Sequence, residues 1–388
     1  MSMDRRRFLQ LGLLAAAYPV GCSPSGADRS ANPPGGTTAT EPEPTPDAGP
    51  TTKSLLVLGG TRFLGPAVVD EALAAGLEVT LFNRGKSDPK AYPELEKLIG
   101  DRDPDKGAGL SALEGRKWDA VIDTSGYFPR HVKASAELLA PNVRQYLFIS
   151  SVSAYAGHDK PGSDEDSPLA QLEDPTVETM GDQFQHYGGL KVLCEQAAER
   201  AMPGRVANVR PGYIVGPRDP TDRFTYWPWR VAQGGDVVVP GSADDPIQVI
   251  DVRDLGRWLV QMAINDTRGV FNAVGPKTPT TMGAVMEACQ AATGSDARLH
   301  WASLEFLEAQ GEPLPFPIWA PPAGESAGFH QYSNARATEA GLSHRPLSEV
   351  VADLWTWFSA QPEERRKTPR AGLPPAVEQQ LIAALTKG

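Results

Sequence analysis

Residues 54–65 read Ser-Leu-Leu-Val-Leu-Gly-Gly-Thr-Arg-Phe-Leu-Gly. An apolar run stops on two glycines. The next stretch, PAVVDEALAA (66–75), repeats apolar positions at helical spacing, with Pro66 suited to a first turn. Gly76 ends it, and EVTLFNRG begins a second apolar strand. Strand, glycine turn, helix and strand make a βαβ unit of about 30 residues. Glycines in such a turn permit a tight bend and a close backbone approach to a pyrophosphate, which lies against the helix N-terminus.

Working outward, WDAVIDTSGY (118–127) and QYLFISSVSAY (145–155) each read as a strand with a polar end. RVANVRPGYIVG (205–216) and GVFNAVG (269–275) add two more. The expected fold is α/β: a doubly wound parallel sheet of the Rossmann type with a smaller C-terminal substrate lobe. The nucleotide-binding domain is expected over 53–275, with 216–245 contributing to the substrate lobe. That lobe then occupies 276–365, and a tail helix 366–388.

These motifs resemble the extended short-chain dehydrogenase/reductase family, the NAD(P)-dependent epimerase/dehydratase group. Its turn reads Gly-Gly-x-Gly-x-x-Gly, and Gly59, Gly60 and Gly65 match it; Arg62 replaces the middle glycine. The resemblance implies a dinucleotide held by Gly59, Gly60, Thr61, Arg62, Phe63, Leu64 and Gly65. It also implies contacts from Asp101 at the adenine and from Thr124, Ser125 and Gly126 past the fourth strand. Lys191, Pro211 and Gly212 complete the set near the nicotinamide. The second strand ends Asn83-Arg84, without the acid that would bind both ribose hydroxyls of NAD. Arg84, with Arg62, suits a 2′-phosphate, so NADP is expected over NAD.

HYGGLKVLCEQAAER (186–200) places Tyr187 and Lys191 one helical turn apart on one face. It resembles the family's Tyr-x-x-x-Lys motif, which implies that Tyr187 moves a proton at a substrate oxygen. Lys191 is expected to ease ionisation of a phenol whose ordinary pKa is near ~10. FISSVSAYAG (148–157) resembles the segment carrying the third hydroxyl, Ser151, with Ser150 and Ser153 as fallbacks. Sugar-nucleotide dehydratases of this family carry Asp-Glu after that hydroxyl. Here Val152 and Ser153 follow, which disfavours dehydration and leaves epimerisation or redox chemistry. A small-molecule substrate is expected; no metal is, since His186 has no partner at ligand spacing.

Other stretches carry weaker expectations. The acidic run 159–178 reads as a long loop over the site, and the Pro-rich run 305–324 as a cover for the substrate cleft. Phe224, Tyr226, Trp227 and Trp229 suit either a sugar-stacking surface or an aromatic core. Arg218, Arg223 and Arg230 could each meet an anion. Cys194 reads as helix packing and Glu195 as a solvent-facing charge; the last helix reads as peripheral.

The chain opens MSMDRRRFLQLGLLAAA. A basic head before a short apolar core resembles a twin-arginine export signal over 1–22, and small residues before Cys22 suit lipid acylation there. Residues 23–52, rich in Pro, Gly, Ser, Thr and acids, read as a flexible tether. The expected location is the periplasm or cell envelope. With no nicotinamide pool outside the cytoplasm, the cofactor is expected to travel already bound, which favours internally redox-neutral chemistry. A formal charge of −11 argues against general nucleic-acid affinity. The rival reading is an RNA-binding module, because the turn and Asn83-Arg84-Gly85 also resemble the stem-loop-binding branch of this fold. Three cysteines indicate no disulfide framework. A homodimer is left open.

Overall fold

The computed structural model describes residues 52–276, 278–311 and 314–387. The expected leader, Cys22 and nearly all of the tether lie outside them. Thr52, last residue of the expected tether, is buried, and its hydroxyl donates to Ala263 O at 2.7 Å.

In chain order the N-terminal part contains β1 (Ser54–Leu58), α1 (Leu64–Ala74), β2 (Glu78–Asn83), β3 (Glu96–Ile99) and β4 (Trp118–Asp123). It continues with α2 (Pro129–Leu139), β5 (Val143–Ile149), α3 (Tyr187–Ala201) and β6 (Val206–Pro211). Next come β7 (Tyr213–Val215), α4 (Tyr226–Ala232), β8 (Asp236–Pro240), β9 (Pro246–Ile247), β10 (Val249–Asp251), α5 (Val252–Ile264) and β11 (Gly269–Ala273). The central sheet has seven strands in the order β11-β6-β5-β4-β1-β2-β3, every pair parallel. This is the doubly wound Rossmann-like sheet expected.

Strand periodicity explains why both faces are covered. Leu55 and Val57 of β1 pack with α1 and α5, through Val68 and Leu255 among others. Leu56 and Leu58 point the opposite way and pack with Val132 of α2 and Ala197 of α3. A strand buried on both sides reads as a continuous apolar run, as LLVL does. Asp251 caps α5, its Oδ1 accepting Arg253 N–H at 2.8 Å, and Asp254 adds an acid to the first turn.

The second lobe has its own core. Beyond α4 and β8 it adds β12 (Thr280–Thr281), α6 (Met282–Thr293), β13 (Arg298–Ala302), α7 (Leu304–Ala309) and α8 (Ala335–Glu339). The last elements are α9 (Leu347–Ser359), α10 (Glu363–Arg366) and α11 (Pro375–Leu385). Phe224, Tyr226 and Trp227 are fully buried with Val237–Val239, Met286, Trp319 and Leu354, so the aromatic run is core. Phe316, Ile318 and Trp319 sit in that same core, so the Pro-rich run packs the lobe and does not roof the cleft. The last helix is not peripheral either. Glu378 of α11 is buried, accepts from Arg230 Nε at 2.6 Å and from Val238 N–H at 3.2 Å, and Leu381 joins the core.

Buried polar bonds join the lobes. The Gln248 side chain donates to Tyr332 O and accepts from Tyr332 N–H, each at 2.9 Å. The Tyr155 hydroxyl donates to Asn272 Oδ1 at 2.6 Å, and Asn272 Nδ2 donates to Ser333 O at 3.0 Å.

Candidate active site

A cleft of about 950 Å³ lies across the carboxyl ends of the central strands, lined by residues that follow β1, β2, β3, β4, β5 and β6. The crevice outside the carboxyl ends of a doubly wound sheet is where such folds bind ligands. One end is the glycine turn. Gly59 and Gly60 take φ values of 119° and 86°, and a Cβ on Gly59 would lie 2.3 Å from Thr124 Oγ1. Phe63, the N-cap of α1, takes φ 48° and gives no side-chain cap, and the first turn carries no acid. The first N–H groups of α1 and the positive end of its dipole therefore face this end without an internal counter-charge. Gly59, Gly60, Thr61, Arg62, Phe63 and Leu64 all line the cleft. Gly65 does not: a Cβ there would sit 2.6 Å from Gly60 Cα, so it keeps the helix against the turn.

Asn83 and Arg84 line the same end. Asn83 fixes local backbone, donating to Gly59 O at 3.3 Å and accepting from Gly85 N–H at 2.8 Å. Arg84 and Arg62 are exposed at the cleft, joined by Lys86 and Lys106, which the sequence reading did not single out. Asp101 lines the cleft and accepts from Asp103 N–H at 3.0 Å.

The cleft floor holds a buried pair. Arg102 donates to both Asp123 oxygens, to Ser125 Oγ at 3.2 Å and to Ser135 Oγ at 3.0 Å. Tyr146 adds a hydroxyl to Asp123 Oδ2 at 2.7 Å. Burial alone would raise the Asp123 carboxyl, but the Arg102 charge and these bonds hold it below the usual range. Thr124 and Ser125 line the cleft and donate to Leu58 O at 3.0 and 3.1 Å. Gly126 lies behind them. Its carbonyl accepts from Lys191 Nζ at 2.7 Å, and its missing side chain makes room for Phe148 and Val132.

At the other end Ser150, Ser151, Ser153, Tyr187 and Lys191 line the cleft together, with Pro211, Gly212 and Tyr213 beside them. Two features of α3 bring them together. Tyr187 begins the helix, so it shares a face with Lys191 one turn on. Gly188 follows, where a Cβ would fall 2.1 Å from Ser153 O. Only glycine lets the helix approach the serine segment that closely. Ser151 caps a one-turn 3-10 helix (Val152–Ala154), its Oγ accepting from Ser153 N–H and donating to Ser153 Oγ, each at 3.1 Å, and it stands within hydrogen-bonding reach of Tyr187. Ser150 Oγ is buried with no hydrogen-bond partner among the described residues.

The expected influence of Lys191 on Tyr187 needs correction. The Tyr187 phenol is raised above its ordinary value: removal from water raises it, and Ser151 and Arg223 only partly offset that. The Lys191 amine is committed elsewhere, to Gly126 O at 2.7 Å and Ile149 O at 2.8 Å, and lies 5.9 Å from the Tyr187 ring centre. Glu195 is also corrected. It is buried and accepts from Arg210 at 2.9 and 2.6 Å. Cys194 is buried, its thiol pushed up to about 12 by that burial.

The expected acidic loop 159–178 contributes no residue to the cleft lining among the described residues; Met180 and Phe184, which follow it, do line the cleft, while the Glu165 side chain turns inward to accept from Asn272 N–H at 2.7 Å. Arg223 lines the cleft, whereas Arg230 is held by Glu378. Sequence reasoning missed Tyr127, Asp219 and Phe329. Tyr127 directly follows the run Thr124–Gly126 expected to contact a cofactor, a signal that was available; Phe329 comes from a distant loop with no local signature.

Residues 55–273 match the profile of the NAD dependent epimerase/dehydratase family. The chain is 28% identical over 285 residues to a chloroplast stem-loop binding protein of 41 kDa from Arabidopsis thaliana, covering 68% of this chain and 70% of that protein. The human epimerase family protein SDR39U1, solved with NADPH, superposes with a TM-score of 0.53 at 21% identity, covering 78% of this chain and 98% of that one. The enzyme WbmH of Bordetella bronchiseptica, solved with NAD+, gives 0.57 at 16% identity, covering 79% and 99%. At these identities the two structures share the fold.

Proposed function

Since this chain belongs to the NAD dependent epimerase/dehydratase family, we propose that it catalyses hydride transfer between a bound nicotinamide dinucleotide and an alcohol or carbonyl of a small molecule. The observation that carries this reading is the meeting of Ser151, Tyr187 and Lys191 at one end of a cleft whose other end is the glycine turn.

The chain's residues suit such a cofactor. The uncapped start of α1 and the backbone of Gly60–Leu64 offer N–H donors to a pyrophosphate, while Gly59 N–H is held by Phe82 O at 2.9 Å. Two Lys191 protons are taken by carbonyls, which aims the amine and leaves a third for a ribose hydroxyl. When bound, the nicotinamide supplies the hydride acceptor or donor. Tyr187 passes the proton at the substrate oxygen, and Ser151 donates a hydrogen bond to that oxygen as charge builds on it. The raised phenol is a proton donor at neutral pH, which suits carbonyl reduction or the return step of an epimerisation. Val152 and Ser153 after Ser151 supply no acid-base pair for water loss.

NADP is the preferred dinucleotide in this reading, because Arg84 and Arg62 stand at the cleft where an NAD-type site would carry a carboxylate. Both forms are within reach of the fold, as the human and Bordetella proteins show for themselves. The test is fluorescence titration with NADPH and NADH. Tighter NADPH binding that is lost in Arg84→Ala supports the reading; no binding of either dinucleotide sinks it.

A second reading, an RNA-binding module, is favoured by the similarity to the chloroplast stem-loop binding protein. The net charge of −11 and the complete Ser151, Tyr187 and Lys191 set weigh against it. Filter retention of a stem-loop RNA at moderate salt separates the two.

The leader motif supports export by the twin-arginine route with the dinucleotide already bound. Denaturing protein from the envelope fraction and measuring released nicotinamide tests this; a protein without stoichiometric dinucleotide overturns it.

A further inference from the structure

The segment between β7 and α4 carries two charged side chains at the cleft, Asp219 and Arg223. Asp219 is 2% exposed. Its Oδ1 accepts from Thr221 N–H at 2.8 Å and from the Thr221 hydroxyl at 2.6 Å, while its Oδ2 is buried with no hydrogen-bond partner among the described residues; burial raises this carboxyl, and the Arg223 charge only partly offsets that. A buried carboxylate oxygen with no donor is costly, and native structures rarely leave one so unless a ligand or water completes it.

Arg223 is the complementary case. Its Nε donates to Thr221 Oγ1 at 3.0 Å, and its guanidinium lies 4.8 Å over the Tyr213 ring. Other inward-facing guanidiniums each hold a carboxylate: Arg102 with Asp123, Arg210 with Glu195 and Arg230 with Glu378. Among the described residues Arg223 makes no ion pair. Thr221 braces both groups. The next acid, Asp222, is fully buried and tied to Arg365 and to Arg370 N–H, which pins the loop to the C-terminal segment. The pair is thus presented on a held loop, at the Tyr187 end of the cleft.

We propose that Arg223 and Asp219 select the substrate, Arg223 holding an anionic group and Asp219 Oδ2 accepting a hydroxyl of the same molecule. The substrate is then a hydroxyl-bearing anion small enough for both groups to reach it beside Tyr187. A planar guanidinium stacked on an aromatic ring is pre-aimed for carboxylate or phosphate oxygens, the two sources of such an anion. The inference rests on the hydride-transfer reading of the same cleft.

The test uses the full chain saturated with NADP+ and three probes in calorimetric titrations: D-galacturonate, D-glucose 6-phosphate and neutral D-galactose. At least one anion should bind about tenfold or more tightly than galactose. Arg223→Met should remove that advantage, Arg223→Lys should restore part of it, and Asp219→Asn should weaken all three. The tighter of the two anions identifies carboxylate or phosphate. Equal binding of all three, failure of both anions to bind, or an Arg223→Met variant that keeps the preference overturns the proposal. NADP+ affinity is measured in every variant. Its persistence shows a folded site, so a charge-blind cleft with intact NADP+ binding sinks this proposal alone. Loss of NADP+ binding in the unaltered chain sinks the hydride-transfer reading instead.

Discussion

Glu195 on α3 and Arg210 on β6 meet in a two-point ion pair, Nε to Oε1 at 2.9 Å and Nη2 to Oε2 at 2.6 Å, with both side chains buried. The pair fastens the helix that carries Tyr187 and Lys191 to the sheet. Removing one partner strands the other charge in the interior. Glu195→Ala should therefore destabilise the fold by about 3–5 kcal/mol, read from denaturant unfolding. A loss under about 1 kcal/mol, the scale of exposed pairs, would mean that the pair is not desolvated as described.

The raised phenol of Tyr187 fixes the sign of a pH effect. In the proposed mechanism Tyr187 accepts a proton in the oxidation direction, so the rate should climb as pH rises from neutral. In the reduction direction it donates one, and the rate should hold near neutral pH and fall only in alkali. Tyr187→Phe should lower kcat by about 10²–10⁴-fold while NADPH titration stays unchanged. A pH-flat oxidation rate in the unaltered protein would contradict the assignment.

Two buried histidines make stability depend on acid. Burial lowers both His158 and His330 to about 4, from an ordinary 6.5. Their folded-state values are depressed, so the neutral forms belong to the fold. Their contribution is complete above the unfolded value and is lost as pH falls from 6.5 toward 4. Each such shift is worth on the order of 3 kcal/mol. Denaturant midpoints should drop between pH 7 and pH 5, and a His158→Gln, His330→Gln double variant should show a shallower drop. Parallel pH slopes for the two proteins would rule this out.

The turn offers a steric test. A methyl on Gly59 would lie 2.3 Å from Thr124 Oγ1, at a φ of 119° that side chains rarely adopt. Gly59→Ala should weaken NADPH binding at least about tenfold. Gly204, at φ 66° with no atom within 4 Å of an added Cβ, is the control: Gly204→Ala should lose a little stability and no affinity. Equal effects at both positions would point to backbone strain alone.

Much of this was readable in the chain because it is encoded locally. The continuous apolar run LLVL stopping on two glycines and the one-turn spacing of Tyr187 and Lys191 report their own geometry, and each strand end named its cleft residues. Glu195, Glu378 and Phe329 were not readable. Glu195 meets its counter-ion on another strand, Glu378 reaches Arg230 across the second lobe, and Phe329 arrives from a loop far downstream. Their roles depend on partners that no local pattern announces. The Tyr187 shift failed for a related reason: spacing places Lys191 nearby but does not say which carbonyls will take its protons.

The sheet order carries a consequence for synthesis. β6 ends at Pro211, but its outer neighbour β11 is complete only at Ala273. At about 5–20 residues per second, a ribosome needs several seconds to supply it. Through that interval the nascent chain displays a strand, Val206–Pro211, with one unsatisfied margin, a template for a neighbouring chain to zip onto. Yield in a cell should accordingly respond to whatever shelters chains emerging from the ribosome.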